Sequence, residues 1–465
     1  MLRKKISILF LFFSIFFIKA AYSQREYNNI LAMSDIHFNP FAICVDKNFK
    51  KKCSALIREL NESEVNNWKQ IFEKYHENLS PSVSGEDTNY PLFESFLYGI
   101  KEITEKNSNI RFAVILGDFL GHHFIDNFKL YSQDKLDPKK IDFIKKTYQF
   151  LTNEIRSVIP AQIEIYPVIG NNDSYIDNYN VDNPKTSLFY NDLKNIWALN
   201  SEQIKNSDSF SSGGYYSAKT KIKGLSVVAL NTNPFSKKAT SKDKADINKI
   251  IEEQLIWLNV KLENAKNQKI LIISHIPFGI DTYSSLNSLK KGGDPVLFWK
   301  DNPNLIEKPY LKILSNHFSS IAGILVAHTH FNSFQMIDND LELFSLTVPS
   351  VSPIHKNNPG FQIFTLNDAN IFMNSLSYVF GREEKKWKEL YNFDELYESQ
   401  TLYVGVQSLI GKWFKEPLVS DGKFINFYSM GNENTQVKNN WNYYICAADN
   451  NLNSENYKEC LNSIY

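Results

Sequence analysis

Seven side chains able to grip a cation stand just beyond short apolar runs of the chain: Asp35 and His37, Asp118, Asn171, His275, and His328 with His330. Two carboxylates, one amide and four imidazoles make a mixed oxygen and nitrogen donor set of the kind that zinc, manganese or iron accepts. Seven donors are too many for one such ion, and the count fits two ions sharing Asp118. A single histidine behind a strand is more often a satisfied structural residue than a ligand. The weight lies in the same placement recurring at five separate strand ends.

Something must carry those seven to one place. The runs Ile30 to Met33, Phe112 to Leu116, Ile163 to Ile169, Leu225 to Leu230, Ile270 to Ile273 and Ile321 to Val326 are short, rich in Val and Ile, and followed by polar residues or glycine, as buried strands are. In a mostly parallel sheet the C-terminal ends of strands share one edge, so side chains far apart in sequence converge there. Between the runs lie amphipathic stretches such as Asp243 to Ala265, with Ile247, Ile250, Ile251, Leu255, Leu258 and Leu262 at helical spacing. Leu341 to Leu346, Phe361 to Leu366 and Ile371 to Val379 follow without intervening helices and predict antiparallel strands. The fold class expected is α/β: a mixed-sheet β-sandwich flanked by helices, spanning residues 24 to 380. From 381 to 465 a helical subdomain is expected, opening on the solvated charge run Arg382 to Lys386 and burying Trp387, Leu390, Leu396, Leu402, Val406 and Leu409. The polar stretch from Cys44 to Tyr90 reads as an insertion near the mouth of the site.

At this level the sequence resembles a known family. Ser34-Asp35-Ile36-His37, Gly117-Asp118-Phe119, Gly170-Asn171-Asn172-Asp173, Ser274-His275 and Ala327-His328-Thr329-His330 look like the five ordered blocks of the calcineurin-like metallophosphoesterases. Each block alone is weak, and the ordered set is specific. His122 after Gly117-Asp118, Gly213-Gly214-Tyr215-Tyr216-Ser217, Leu230-Asn231-Thr232-Asn233, His275-Ile276-Pro277-Phe278-Gly279 and Asn358-Pro359-Gly360-Phe361 resemble the acid sphingomyelinase-like phosphodiesterase branch over about residues 28 to 380. The resemblance implies Asp35, His37 and His330 on one metal, Asn171, His275 and His328 on the other, and Asp118 between them. It implies phosphodiester hydrolysis by a hydroxide held between two divalent ions, zinc first and manganese or iron next. His122 becomes the expected general acid for the leaving group, with support of a metal ligand as its alternative role. Where the family block carries histidine, this chain has Asn172, whose amide can hydrogen-bond a phosphoryl oxygen and cannot deliver a proton. Either His122 or His123 then carries the acid role alone, or turnover is confined to good leaving groups. Ala327, where the family has glycine, adds only a methyl group.

Whole-chain features bound the rest. Lys and Arg total 51 and so do Asp and Glu, which leaves no net field to attract polyanions, and nucleic acid is not an expected partner. The 34 Phe and 24 Tyr are read as core rather than ligand cage. Arg3, Lys4 and Lys5, the apolar run Ile6 to Ile18 and Ala21-Tyr22-Ser23 predict a signal peptide cleaved after Ser23, and hence a secreted or periplasmic protein. The run is shorter than the ~20 residues that cross a bilayer, and no later segment is long and apolar enough to do so. Four cysteines suggest two local disulfides, Cys44 with Cys53 and Cys446 with Cys460, although connectivity is open and four thiols or a four-cysteine metal site are the alternatives. A small-molecule or lipid phosphate ester is the expected substrate. A nucleotide-directed phosphomonoesterase or pyrophosphohydrolase, and a metal-binding pseudoenzyme that captures phosphorylated ligands, are the competing readings.

Overall fold

Twelve strands form among the residues described in this computed structural model, which are 27–44, 50–76, 79–132, 137–415, 428–449 and 454–464. They are β1 (Asn28–Met33), β2 (Ile110–Ile115), β3 (Glu164–Pro167), β4 (Tyr216–Lys219), β5 (Leu225–Ala229), β6 (Lys269–Ile273), β7 (Ile321–Val326), β8 (Ser333–Asp338), β9 (Leu343–Thr347), β10 (Gly360–Leu366), β11 (Phe372–Gly381) and β12 (Lys386–Asn392). The signal-peptide reading of residues 1 to 23 lies outside the described residues.

The strands build two mixed sheets of six, in the orders β12-β11-β10-β1-β2-β3 and β4-β5-β6-β7-β9-β8. β1, β2 and β3 run parallel in the first; β5, β6, β7 and β9 run parallel in the second. Of the three antiparallel strands expected in the second half, β10 and β11 lie antiparallel in the first sheet, whereas β9 runs parallel to β7 and antiparallel only to β8 in the second; β12, at the edge of the first sheet, was not expected. Alternation along the second sheet shows how it is sandwiched. Leu271 and Ile273 of β6 and Leu325 of β7 join the main core, whereas Ile270, Ile272 and Ile324 join a second cluster with Leu255, Leu258 and Leu262 of the helix Ile247–Glu263. Burial on both faces is why these strands read as unbroken apolar runs. The fold class is therefore the expected α/β sandwich, with one correction: the convergence of strand ends involves two sheets rather than one.

The region after Gly381 also departs from expectation. Residues 382–385 make the turn of a hairpin, and β12 pairs with β11 from Gly381↔Lys386 to Leu376↔Asn392, so helical structure begins only at Phe393. Trp387 packs on Phe96, Phe361 and Phe380 as a strand residue, with its ring pressed against the open face of Gly99. Lysines at 386 and 388 suit a sheet edge, where charge blocks further strand pairing. Beyond it, Leu402, Val406 and Leu409 are buried on the helix Leu402–Lys415, as their spacing predicts.

Both local disulfides are present, Cys44–Cys53 and Cys446–Cys460. The second joins the helices Trp441–Asp449 and Ser454–Ser463, whose Ala447, Tyr457 and Leu461 pack on Ile280, Leu289 and Leu297. The bridge closes a loop of 14 residues, and holding a loop of that size is worth about 3 kcal/mol. Replacing both cysteines, Cys446→Ser with Cys460→Ser, is expected to lower the urea midpoint by the equivalent of about 2–4 kcal/mol. An unchanged midpoint would show that this helical pair unfolds separately from the sandwich.

Candidate metal centre

The seven residues singled out by type and spacing come together at the C-terminal ends of parallel strands from both sheets. Asp35 and His37 follow β1, Asp118 follows β2 and Asn171 follows β3; His275 follows β6, and His328 and His330 follow β7. Five of them hold a left-handed backbone: φ is 46° at Asp35, 44° at His37, 53° at Asp118, 73° at His328 and 69° at His330. Such conformations are costly for residues with a Cβ and cluster where the surroundings enforce them. They turn each chain sharply at the strand end, so that the side chain faces inward.

Glycine and carboxylate chemistry enforce those turns. A methyl group at Gly170 would lie 2.1 Å from Asp118 Oδ1 and 2.2 Å from its amide nitrogen, and one at Gly117 would lie 2.6 Å from the Gly170 nitrogen. Only bare backbone lets these two loops touch. Asp173 then ties them, accepting hydrogen bonds from the amides of Asp118 (2.9 Å), Phe119 (3.0 Å) and Gly170 (2.8 Å) and from the Tyr148 hydroxyl (2.9 Å).

Within this frame the donor atoms form two groups. In the first, His37 Nε2 and His330 Nε2 face each other at 3.1 Å, and Asp35 Oδ1 lies 3.8 and 3.5 Å from them. In the second, His275 Nε2 lies 3.0 Å from Asn171 Oδ1 and 3.4 Å from Asp118 Oδ2, with His328 beside them. Asp118 Oδ2 is also 3.4 Å from His37 Nε2 and so belongs to both. Donors held about 2.0–2.2 Å from a tetrahedral ion sit roughly 3.3–3.6 Å from one another, within the 3.0 to 3.8 Å over which these are spread.

The polar accounting points the same way. Asp35 Oδ1 is fully buried and accepts no hydrogen bond, and burial pushes that carboxyl up to about 7. A naked buried carboxylate oxygen needs a cation. Burial, helped by the neighbouring charge of His122, pushes His37 down to about 4 and leaves it a neutral donor. Its Nδ1 hydrogen-bonds the Leu120 carbonyl, as His275 Nδ1 does the Leu116 carbonyl, so Nε2 of each presents its lone pair to the centre. The Asn171 amide nitrogen donates to Asn178, which turns its oxygen inward. Donor type, spacing and the orphaned oxygen all fit two divalent ions.

The two candidate catalytic residues fare differently. His122 lines a cleft of 530 Å³ that opens over Asp118, Asn171, His328 and His330. Its ring stacks on His37 at 4.2 Å, and its Nδ1 meets Asp87 Oδ1 at 2.9 Å, while its backbone amide donates to Asp87 Oδ2 at 2.7 Å. Burial opposes protonation of that ring, but the bond to Asp87 and its charge outweigh burial and raise the imidazole above its ordinary value. Asn172 does not face the cleft as a phosphoryl donor. Its amide donates to Asp118 Oδ2 at 2.8 Å and its backbone to Asp118 Oδ1 at 2.7 Å, because the turn after Gly170 lays it along that carboxylate. His123 is exposed and lies outside the cleft lining. Sequence reasoning missed Asp87, which hid in a stretch read only as an insertion, and treated Asp173 as part of a motif with no role of its own.

A family model described as calcineurin-like phosphoesterase matches residues 29–332. The chain belongs to the calcineurin-like phosphoesterases. Among relatives of this phosphoesterase, mouse acid sphingomyelinase-like phosphodiesterase 3b is 28% identical over 341 residues, 67% of this chain and 66% of that protein. Dictyostelium discoideum sphingomyelinase phosphodiesterase D is 24% identical over 429 residues, 86% of this chain and 87% of that protein. A solved dimetal phosphatase from Danio rerio aligns at a TM-score of 0.42 and 13% identity, over 78% of this chain and 98% of that one. The match spans just under two thirds of the length of the mouse relative.

Asp118→Asn removes the negative charge common to both donor groups. It is expected to reduce bound metal, measured by elemental analysis, and to cut turnover of a phosphate ester by at least about a hundredfold. Gly170→Ala should reproduce the metal loss without replacing any donor, since the new methyl would displace the Asp118 carboxylate.

Proposed function

We propose that this phosphoesterase is a dinuclear, metal-dependent phosphodiesterase acting outside the cytoplasm on a small-molecule or lipid ester. The observation that carries the reading is the buried Asp35 oxygen without a hydrogen-bond donor, set among imidazole nitrogens that face one another. Asp35, His37 and His330 would hold one ion and Asn171, His275 and His328 the other, with Asp118 within reach of both. Two bound divalent ions supply Lewis acidity, which makes water nucleophilic near neutral pH and offsets phosphoryl charge. The printed names of the mouse and Dictyostelium relatives support a phosphodiester, and zinc is the ion favoured, with manganese or iron next.

The chain's own residues do the remaining work. His122, fixed through Nδ1 by Asp87, offers Nε2 as the proton donor to the departing oxygen. Asn172 positions the Asp118 carboxylate through its two hydrogen bonds and leaves proton transfer to His122. Tyr179, Phe298 and Tyr428 wall the cleft with Lys238 and Lys356, giving the substrate aromatic and cationic surfaces beyond the ions. Two disulfides and the basic, apolar and small-residue order of the first 23 positions support export.

Metal analysis of the purified protein, followed by hydrolysis assays on paired phosphodiesters and phosphomonoesters, tests the function. Two ions and preference for diesters are expected; two ions with monoesterase activity alone would overturn the diester assignment. His122→Ala is expected to cost roughly a hundred- to ten-thousandfold on an alkyl diester, whose alkoxide must be protonated as it leaves, and clearly less on a nitrophenyl ester. Asp87→Asn should move activity in the same sense by a smaller factor, since it frees the ring without deleting it. Equal losses on both esters would make His122 a positioning residue.

A further inference from the structure

Four imidazoles line the cleft, His122, His328, His330 and His355, and the function proposed above uses all but the last. His355 sits on the loop between β9 and β10, its ring edge-on to His330 at 4.4 Å and to His122 at 6.1 Å. Its position is well fixed. The Lys356 amide donates to the Pro353 carbonyl, and the buried Asn357 amide donates to Ser350 Oγ and to the Ser352 carbonyl. The Pro353 carbonyl also accepts from Gly85, and the Lys356 carbonyl from Asn432. Yet neither ring nitrogen of His355 has a hydrogen-bond partner among the described residues, whereas His122 is anchored to Asp87. Nor does His355 fall within either donor group. A side chain so firmly placed, so close to the donors and so open at both nitrogens is poised for a ligand. An imidazole carries at least one N–H in every protonation state, so it can donate a hydrogen bond without titrating.

We propose that His355 donates that N–H to a phosphoryl oxygen of the bound ester, from a ring beside His330 and facing the same cleft as His122. The proposal rests on reading the centre as a phosphate-ester site. It separates two tasks between two rings: His122 serves the departing oxygen, and His355 holds an oxygen that stays on phosphorus. With ring centroids 6.1 Å apart, the two imidazoles are near enough for their N–H groups, each reaching about 3 Å, to meet different oxygens of one phosphate. His355 is exposed and belongs to none of the hydrophobic clusters, so its removal is expected to leave the core intact.

The test uses metal-replete full-length protein with orthophosphate as the probe, titrated calorimetrically, together with kinetics on an alkyl and a nitrophenyl diester. His355→Ala is expected to weaken orthophosphate binding about ten- to a hundredfold, the value of a hydrogen bond to a charged group. It should lower kcat/KM by a similar factor on both esters, because an oxygen that stays on phosphorus is indifferent to the leaving group. Metal content should not change, and His355→Gln, which keeps an N–H, should recover most of the binding. Unchanged phosphate affinity in His355→Ala, loss of metal, or a penalty confined to the alkyl ester would each overturn the role of His355 while leaving the phosphoesterase reading in place. A wild-type protein that carries both ions yet neither binds orthophosphate nor cleaves an ester would overturn that reading and this inference together.

Discussion

The constraint on which the rest depends is the burial of one shared carboxylate, Asp118. It is almost wholly removed from water, it lies 3.4 Å from an imidazole of each donor group, and both its oxygens receive hydrogen bonds from Asn172. A charge so placed survives only if its neighbours are arranged for it beforehand. Gly117 and Gly170 clear the space, Asp173 ties the two loops, and Tyr148 steadies Asp173 from below. The strained turns at Asp35, His37, His328 and His330 follow from the same requirement, because each aims a donor at the volume that Asp118 borders.

Interior strands were the most legible from residues alone, although β3, at one edge of the first sheet, was also read from its run Ile163 to Ile169. β1, β2, β5, β6 and β7 lie inside their sheets, and their apolar runs announced them. The strands overlooked, β4, β8 and β12, each end a sheet. An edge strand has a free side that tolerates polar residues, so its pattern weakens, and the alternating charges around Trp387 were mistaken for a helix face. The seven donors were legible because each stands directly after a detectable strand. Asp87 was not, because it reaches His122 from a long connection whose course depends on tertiary packing. Asn172 was found by its place in a block, but only the backbone turn decides that its amide meets Asp118 instead of the cleft.

The C-terminal helices add a wall as well as stability. Tyr444, Ala447 and Ala448 of the helix Trp441–Asp449 line the cleft together with Tyr428 and with Thr282 and Tyr283 on the neighbouring helix Thr282–Leu289. The first of these helices lies against β8, and the cluster around Ile280 joins it to the second. The donors and the surface that selects what reaches them therefore come from different parts of the chain. Residues that shape the cleft can vary without disturbing the turns that aim the donors.

Each donor group draws on both sheets: Asp35 and His37 from the first with His330 from the second, Asn171 and Asp118 from the first with His275 and His328 from the second. The separation of the sheets thus acts as a gauge for the centre. Side chains between them, such as Ile30, Leu271 and Leu325, are not donors, yet their bulk sets how far apart the two rows of strand ends stand. Over evolutionary drift such positions would answer to the coordination distances of an ion many residues away, and a change of one methylene in mid-sandwich would be felt as a change in which ion the mouth of the sandwich prefers.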